Sequence, residues 1–399
     1  MKVNAYKLPL ALLATTVLSA PAAFAESSLT SGIKQALSDS KVNVMFRARY
    51  EGVDQDGIKE KADALTLKSR ITVKSGAYNG FSMAAEVDNV TDAVNNYNST
   101  RNGETQYPVV ADPNGTDVNQ IFVKYKGDKY TAIAGRQRIL HNNQRFVGGV
   151  GWRQNEQTYD GYRLQVNPTD SFKIDYSYIY NVNRIFGPRG SKADLHGDFH
   201  LVTTESKFGK DHKVNIYAYL LDFDTAAALS SDTYGVSYKG KFGPVVVNAA
   251  VATQSEAGDN AVDYSANYYN VEVGSKLGNI TLLAGIDSLG SDNGVGFKTP
   301  LATLHKFQGF ADKFLATPAN GVEDVYFTVK TKVSGVNLSA TYHDLSSDKG
   351  NTDYGSEIDL AAAYKMNKNY SVLVKYAMYD ADEHATDTDK LWVQLVAKF

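Results

Sequence analysis

From residue 41 to the C-terminus the chain repeats one unit: about ten residues that alternate apolar and polar, a connection, and another alternating run. A period of two marks a strand with one oily face. The connections restrict the fold most. Residues 75–79, 127–128, 168–170, 209–211, 240–243, 277–279, 333–335 and 366–369 are tight turns rich in Gly, Asn, Asp and Pro. Between them lie long polar segments: 51–64, 89–119, 139–156, 182–198, 222–233, 255–267, 288–324, 345–356 and 380–389. A soluble all-β protein has no reason to alternate short and long connections. An antiparallel up-and-down β-barrel crossing the outer membrane does, with turns on the periplasmic side and loops outside. The tally is about 18 strands, even as single-chain bacterial barrels require.

The faces agree. In the first run Val42, Val44, Phe46, Ala48 and Tyr50 oppose Asn43, Arg47 and Arg49. In the second, Leu65, Leu67, Ile71 and Val73 oppose Lys68, Arg70, Thr72 and Lys74; in the third, Phe81, Met83, Ala85 and Val87 oppose Ser82, Glu86 and Asp88. Oily outside and charged inside is the transmembrane-barrel arrangement. The last run places Leu391, Val393, Leu395, Ala397 and Phe399 on one face, a closing strand that ends on an aromatic residue. Tyr130, Phe172, Phe208, Tyr238, Phe242, Tyr364, Tyr370 and Phe399 fall beside short turns, as an interface girdle demands.

At the other end, Lys2 and Lys7 precede an apolar run, and Ala23-Phe24-Ala25 supplies a small-x-small cleavage pattern. We therefore expect residues 1–25 to be a signal peptide, 26–40 a short periplasmic segment with a helical stripe of Leu29, Ile33 and Leu37, and 41–399 the barrel. No later stretch approaches the roughly 20 apolar residues of a spanning helix. The chain has 26 Tyr, 17 Phe and 32 Gly, which suits a barrel, and no Cys, which excludes a disulfide-stapled fold. A net charge of −3 gives no reason to propose nucleic-acid binding.

Catalytic patterns are weak. His196 and His200 are four apart but not on a helix, Asp54-Gln55-Asp56-Gly57 lacks the remaining ligands of a calcium loop, and no Ser-centred elbow occurs. We expect no enzyme, cofactor or metal. The informative charges are those of the inner face. Arg47, Arg49, Lys68, Arg70, Lys74, Lys124, Lys126, Arg163 and Lys173 line the first seven strands, against Glu86, Asp88 and Asp175. Arg136 and Arg138 join them, although 130–138 reads in either phase. The later strands are balanced: Glu272, Asp287, Asp324, Glu357 and Asp359 with Lys239, Lys330, Lys332, Lys365 and Lys375. A confined basic wall concentrates anions and holds carboxylates.

Two loops look ordered enough to constrict the channel. One carries Arg145, Trp152 and Arg153. The other, from Thr299 to Leu315, carries His305, Lys306, Asp312 and Lys313. The second reads as a helix, with Thr299 as N-cap, Pro300 in the first turn, and a stripe of Leu301, Leu304, Phe307 or Gln308, Phe310 or Ala311, and Phe314. Such a stripe must bury itself, and the lumen is the nearest place.

Gly135-Arg136-Gln137-Arg138, Gln144-Arg145-Phe146-Val147-Gly148, Trp152-Arg153-Gln154-Asn155 and Thr158-Tyr159-Asp160-Gly161 resemble the alginate-export family of outer-membrane barrels. So do Arg47-Ala48-Arg49-Tyr50-Glu51 and Leu65-Thr66-Leu67-Lys68-Ser69-Arg70, and the block from Thr299 is similar to porin-like members. The resemblance implies an Arg-lined conduit for an anionic polysaccharide. This chain departs from an alginate exporter proper in its sparser lumenal charge. The expectation is therefore a porin-like channel for hydrophilic, anionic solutes or oligosaccharides. The alternatives are an exopolysaccharide secretion conduit and an outer-membrane barrel enzyme. The expected partners are outer-membrane lipid, the barrel assembly machinery and the solute; oligomeric state stays open.

Overall fold

In a computed structural model, residues 22–399 are described. Helix α1 (Ala22–Ser38) precedes eighteen barrel strands. The first nine are β1 (Lys41–Gln55), β2 (Ala62–Lys74), β3 (Phe81–Asn96), β4 (Gly115–Lys126), β5 (Tyr130–Gln137), β6 (Thr158–Thr169), β7 (Phe172–Asn183), β8 (Asp194–Phe208) and β9 (His212–Phe223). Then come β10 (Ser231–Phe242), β11 (Val245–Glu256), β12 (Ser265–Leu277), β13 (Ile280–Leu289) and β14 (Val322–Val333). The last are β15 (Val336–Ser346), β16 (Asp353–Lys365), β17 (Tyr370–Ala381) and β18 (Thr388–Lys398). Each pairs antiparallel with its sequence neighbours, and β18 closes on β1 from Met45↔Lys398 to Gln55↔Thr388. Closure leaves no open edge, which lets the backbone sit in lipid.

The expected signal peptide lies outside the described residues except for its last four, which open α1. The helix rests on the first short turn: Gly76 N donates to the Ala36 carbonyl at 2.8 Å. The Tyr78 ring lies against Gly32, where a Cβ would come within 2.0 Å of Cε2. Leu29, Ile33 and Leu37 remain exposed.

The faces fall as the alternation requires. Ile71, Met83, Ile121, Val273, Leu360 and Leu395 are exposed outward, whereas Arg47, Arg49, Lys68, Glu86 and Asp88 are buried within. Several strands climb past the alternating runs, β1 to Gln55 and β3 to Asn96. Above the membrane a strand needs no oily face, so the pattern stops before the pairing does. Two long connections thereby shrink to 56–61 and 382–387.

One feature departs from a polar lumen. The upper inward positions of β8, β9, β12 and β13 are apolar, with Phe199, Leu201, Tyr217, Tyr219, Leu221, Tyr268 and Leu289, and Tyr264 joins them from just before β12. They form a core, and onto it pack Ile139 and Val147 from one inward loop and Phe297, Leu301, Ala311 and Phe314 from the other. Each large side chain buried this way contributes about 1.5–3 kcal/mol. That burial draws the two loops inside.

The second loop is inside but is not a helix. Only Leu304–Lys306 forms a single 3₁₀ turn. Gln308, Gly309 and Asp312 take φ of 50°, 82° and 62°, which no right-handed helix allows. The backbone finds partners elsewhere: Phe310 N donates to Asp359 at 3.0 Å and Ala311 N to Glu357 at 2.7 Å. At Gly309 a Cβ would meet Glu357 Oε2 at 2.2 Å, so the close approach itself requires glycine.

Candidate functional site

The loop at residues 138–157 lies on the basic wall. Arg47 donates from Nε to Gln154 Oε1 at 2.8 Å and from Nη1 to the Gly151 carbonyl at 2.9 Å, and it also bonds the Arg153 carbonyl. Arg49 bonds Gln394 at 2.6 Å, stacks its guanidinium 4.1 Å over Trp152, and faces Asp112 at 3.7 Å. Lys68, 0 % exposed, stands 2.9 Å from Asp88 and 3.7 Å from Glu156. Arg70 forks onto Asp88 with both bonds at 2.6 Å and reaches Glu156 at 2.9 Å and Glu86 at 3.4 Å. Burial works against the Glu156 carboxylate, but Lys68, Arg70 and Arg138 outweigh it and hold its carboxyl well below the ordinary range. The basic wall is one half of a closed ion network.

Arg153 ties this loop to the wall and to the other loop. It contacts Glu51 at 3.0 Å, Asp112 at 3.8 Å and Asp312 at 3.1 Å. Asp312 also meets His305 at 2.8 Å and Lys390 at 3.4 Å. Burial pushes the His305 imidazole down to about 3, so it is neutral, with Nδ1–H donating to Asp312 and Nε2 accepting from Lys375 at 2.7 Å. The Lys375 ammonium also lies 4.4 Å from the Trp152 ring centre. Lys313 lies 5.9 Å from the Tyr379 ring centre, and burial brings its ammonium down to about 8.

The open space is on the opposite side. A cavity of about 680 Å³ is lined by inward residues of β9 to β16 and roofed by the two loops, through His141, Arg145, Phe146, Lys306 and Phe307. Three of its four acids are held by side-chain donors, and the fourth, Asp359, accepts from Phe310 N. Asp287 accepts from Arg145 at 3.0 Å, Gln308 at 2.6 Å, Tyr268 at 2.9 Å and Asn270 at 3.2 Å. Glu272 accepts from Asn248 and Tyr326, and Asp324 from His343. Its lysines are not all occupied: Lys239 and Lys330 are exposed to the cavity and have no carboxylate at ion-pair distance among the described residues. Lys306 bonds only the Asn143 carbonyl, at 2.9 Å.

Of the residues expected to line the pore, Arg47, Arg49, Lys68, Arg70, Glu86, Asp88 and Arg138 meet in the sealed network. Arg163 and Lys173 share Asp175 at 2.6 and 3.8 Å. Arg136 must be moved to the other face. Its register partners are Ile121 and Asp160, beside the exposed Val123 and Tyr162, so it points outward. It bonds Asp160 at 2.8 Å and the Val118 carbonyl at 2.9 Å. Arg138 shares its parity yet turns inward, because β5 ends at Gln137 after Gly135 at φ 120°. Of the constriction residues, Trp152, Arg153, His305 and Asp312 meet at the junction, while Arg145 and Lys306 face the cavity. Glu51, Asp112, Gln154 and Glu156 complete the network without having been singled out. Of these, Glu51 and Gln154 lie in the motifs that carry the family resemblance, and the loop residues Asp112, Gln154 and Glu156 carry no period to mark them.

This is a porin-like barrel of the outer-membrane type. The sequence profile described as alginate export matches residues 40–281, and the chain belongs to that family. No curated protein matches the chain in sequence. Among solved structures the fold is similar to OccK3 (OpdO) of Pseudomonas aeruginosa, with TM-score 0.71, 12% identity, and 93% of this chain and 98% of that one covered. The outer membrane protein opdK of the same organism gives 0.71 and 14%, covering 91% and 99%. OccAB4 of Acinetobacter baumannii gives 0.70 and 12%, covering 92% and 100%.

Proposed function

We propose that the protein is an outer-membrane channel for small hydrophilic anions that pass along the β9–β16 side of the lumen. The observation that carries this is the unequal pairing in the cavity: Glu272, Asp287 and Asp324 are occupied by donors of the wall and the inward loops, while Lys239, Lys306 and Lys330 present ammonium groups without a carboxylate. Unpaired cations in a narrow, low-dielectric passage raise the local anion concentration. Export through a cleaved N-terminal segment and insertion by assembly machinery belong to the same reading.

The test is the reversal potential of reconstituted channels in a low-salt gradient. The wild type should favour anions, and Lys239→Gln with Lys306→Gln and Lys330→Gln should move the potential toward cations. A cation-selective wild type, or no shift, rejects the reading. Family membership favours a second one, a secretion conduit for an anionic polysaccharide. It requires the two inward loops to leave the lumen, so it predicts a much wider open state.

A further inference from the structure

The outward wall is not uniform around the barrel. On β18 five apolar positions, Phe399, Ala397, Leu395, Val393 and Leu391, precede Asp389. On β5 only Tyr130, Ala132 and Ala134 precede Arg136, and on β6 only Val166, Leu164 and Tyr162 precede Asp160. Two outward positions fewer, on strands tilted about 40°, lower the top of the apolar band by roughly 10 Å. The polar group at this step is satisfied from within: Asp160 accepts from Arg136, from Asn181 at 2.9 Å and from Asn183 at 3.1 Å. Tyr162 and Tyr180 are exposed beside it, as girdle residues are.

Immediately above stands a group of cations. Arg184 follows Asn183 in the chain, and its guanidinium lies 4.8 Å from the Phe186 ring centre; Lys192 approaches the same ring at 5.6 Å. From the neighbouring outer loop, Arg101 donates to the Phe186 carbonyl at 3.4 Å. Gly187, at φ 75°, leaves the room for this, since a Cβ there would sit 2.8 Å from Arg101 Nη1. Arg101 and Lys192 are exposed and Arg184 half-buried, and none has a carboxylate at ion-pair distance among the described residues. Burial lowers the Arg184 guanidinium, with no acid opposing it.

We propose that this notch docks a phosphorylated glycolipid of the outer leaflet, its acyl chains against Ala132, Ala134 and Leu164 and its phosphates against Arg101, Arg184 and Lys192. Two observations favour lipid over a soluble anion. The band below is shortened, which brings the headgroup plane to this height, and none of the three cations lines the lumenal cavity. Basic clusters at the edge of a spanning segment are a general mode of headgroup recognition. The proposal rests on the outer-membrane placement of the barrel but not on its selectivity.

The full barrel, refolded in detergent with chelator present, would be titrated with bisphosphorylated lipid A and with the dephosphorylated lipid, bound copies being read by native mass spectrometry. We expect the phosphorylated lipid to bind at least about tenfold more tightly. Arg101→Gln with Arg184→Gln and Lys192→Gln should remove that preference, and the Arg101→Lys, Arg184→Lys variant should keep most of it. Equal binding of the two lipids, or an unchanged triple variant that is folded by heat-modified mobility, overturns the proposal. So does displacement of lipid A by a soluble oligogalacturonate, which would make the cluster a soluble-anion site. Because the cavity lysines are untouched, the result is independent of the reversal-potential test.

Discussion

His305 lies flat on Trp152, with ring centres 4.4 Å apart and planes 5° from parallel. The two loops that enter the lumen are thus joined to each other as well as to the wall. Trp392 closes the stack edge-on, 5.7 Å from Trp152, and Arg153 bridges Glu51 of β1 to Asp312 of the second loop. Undocking this junction would widen the lumen, so the junction chemistry would set the conditions for it.

Acid should undock it. Burial holds His305 at about 3 when docked, against an ordinary value near 6.5 when released, so the released state takes up a proton between those values. The docked state is therefore most stable above about pH 6.5 and loses stability as pH falls toward 3. Asp312 and Glu156 act in the same direction: burial opposes their charge, but the surrounding donors and cations hold both carboxyls well below the ordinary range, so docking is lost as they protonate. Single-channel conductance should rise, or become noisy, between pH 6 and 4. His305→Phe keeps the stack without the proton site and should flatten the upper part of that change.

Arg153→Gln should loosen both loops while leaving the barrel folded. It strands the buried Glu51 and takes one cation each from Asp112 and Asp312, and breaking a buried ion pair from one side costs about 3–5 kcal/mol. Limited proteolysis should then cut within 299–315, which the wild type protects, and conductance should increase. Continued protection would place the clamp elsewhere.

The barrel was legible because lipid enforces it: Val44, Ile71 and Leu395 cannot trade faces with Arg47, Arg70 and Gln394 without charge entering hydrocarbon. What lies inside the lumen obeys no such period. Arg70 and Glu156 are far apart in sequence and meet only because a loop folds back, so the wall read as basic while its counter-charges stayed hidden. Arg136 was misplaced because a glycine bend and a short strand detach its parity from that of Arg138. The apolar stripe after Thr299 correctly implied burial, but three residues at positive φ turned a helical spacing into an irregular loop.

Face assignment is open to a paired test. Leu360 is exposed outward on β16 and Ser339 lines the cavity on β15. Leu360→Arg should cost about 2–4 kcal/mol if near the bilayer midplane, and Ser339→Arg much less. Urea unfolding in lipid bilayers measures both, and equal losses would contradict the assignment.

The two sets of cations should behave differently when neutralised. Lys239, Lys306 and Lys330 face open space, so their field acts on passing ions and fades as the Debye length shrinks from about 10 Å at 0.1 M salt to about 3 Å at 1 M. Arg47, Arg49 and Arg70 lie under the first loop and act on Glu156, Asp88, Gln154 and Gln394. Arg47→Gln with Arg49→Gln and Arg70→Gln should therefore shift the reversal potential little at first, but should destabilise loop docking, raise conductance noise and move the acid transition to higher pH. The lysine triple variant should do the reverse: a shifted, salt-dependent potential with quiet conductance and an unchanged acid transition. An arginine variant with quiet conductance and a large selectivity shift would mean that the conduit runs along the β1–β6 wall instead.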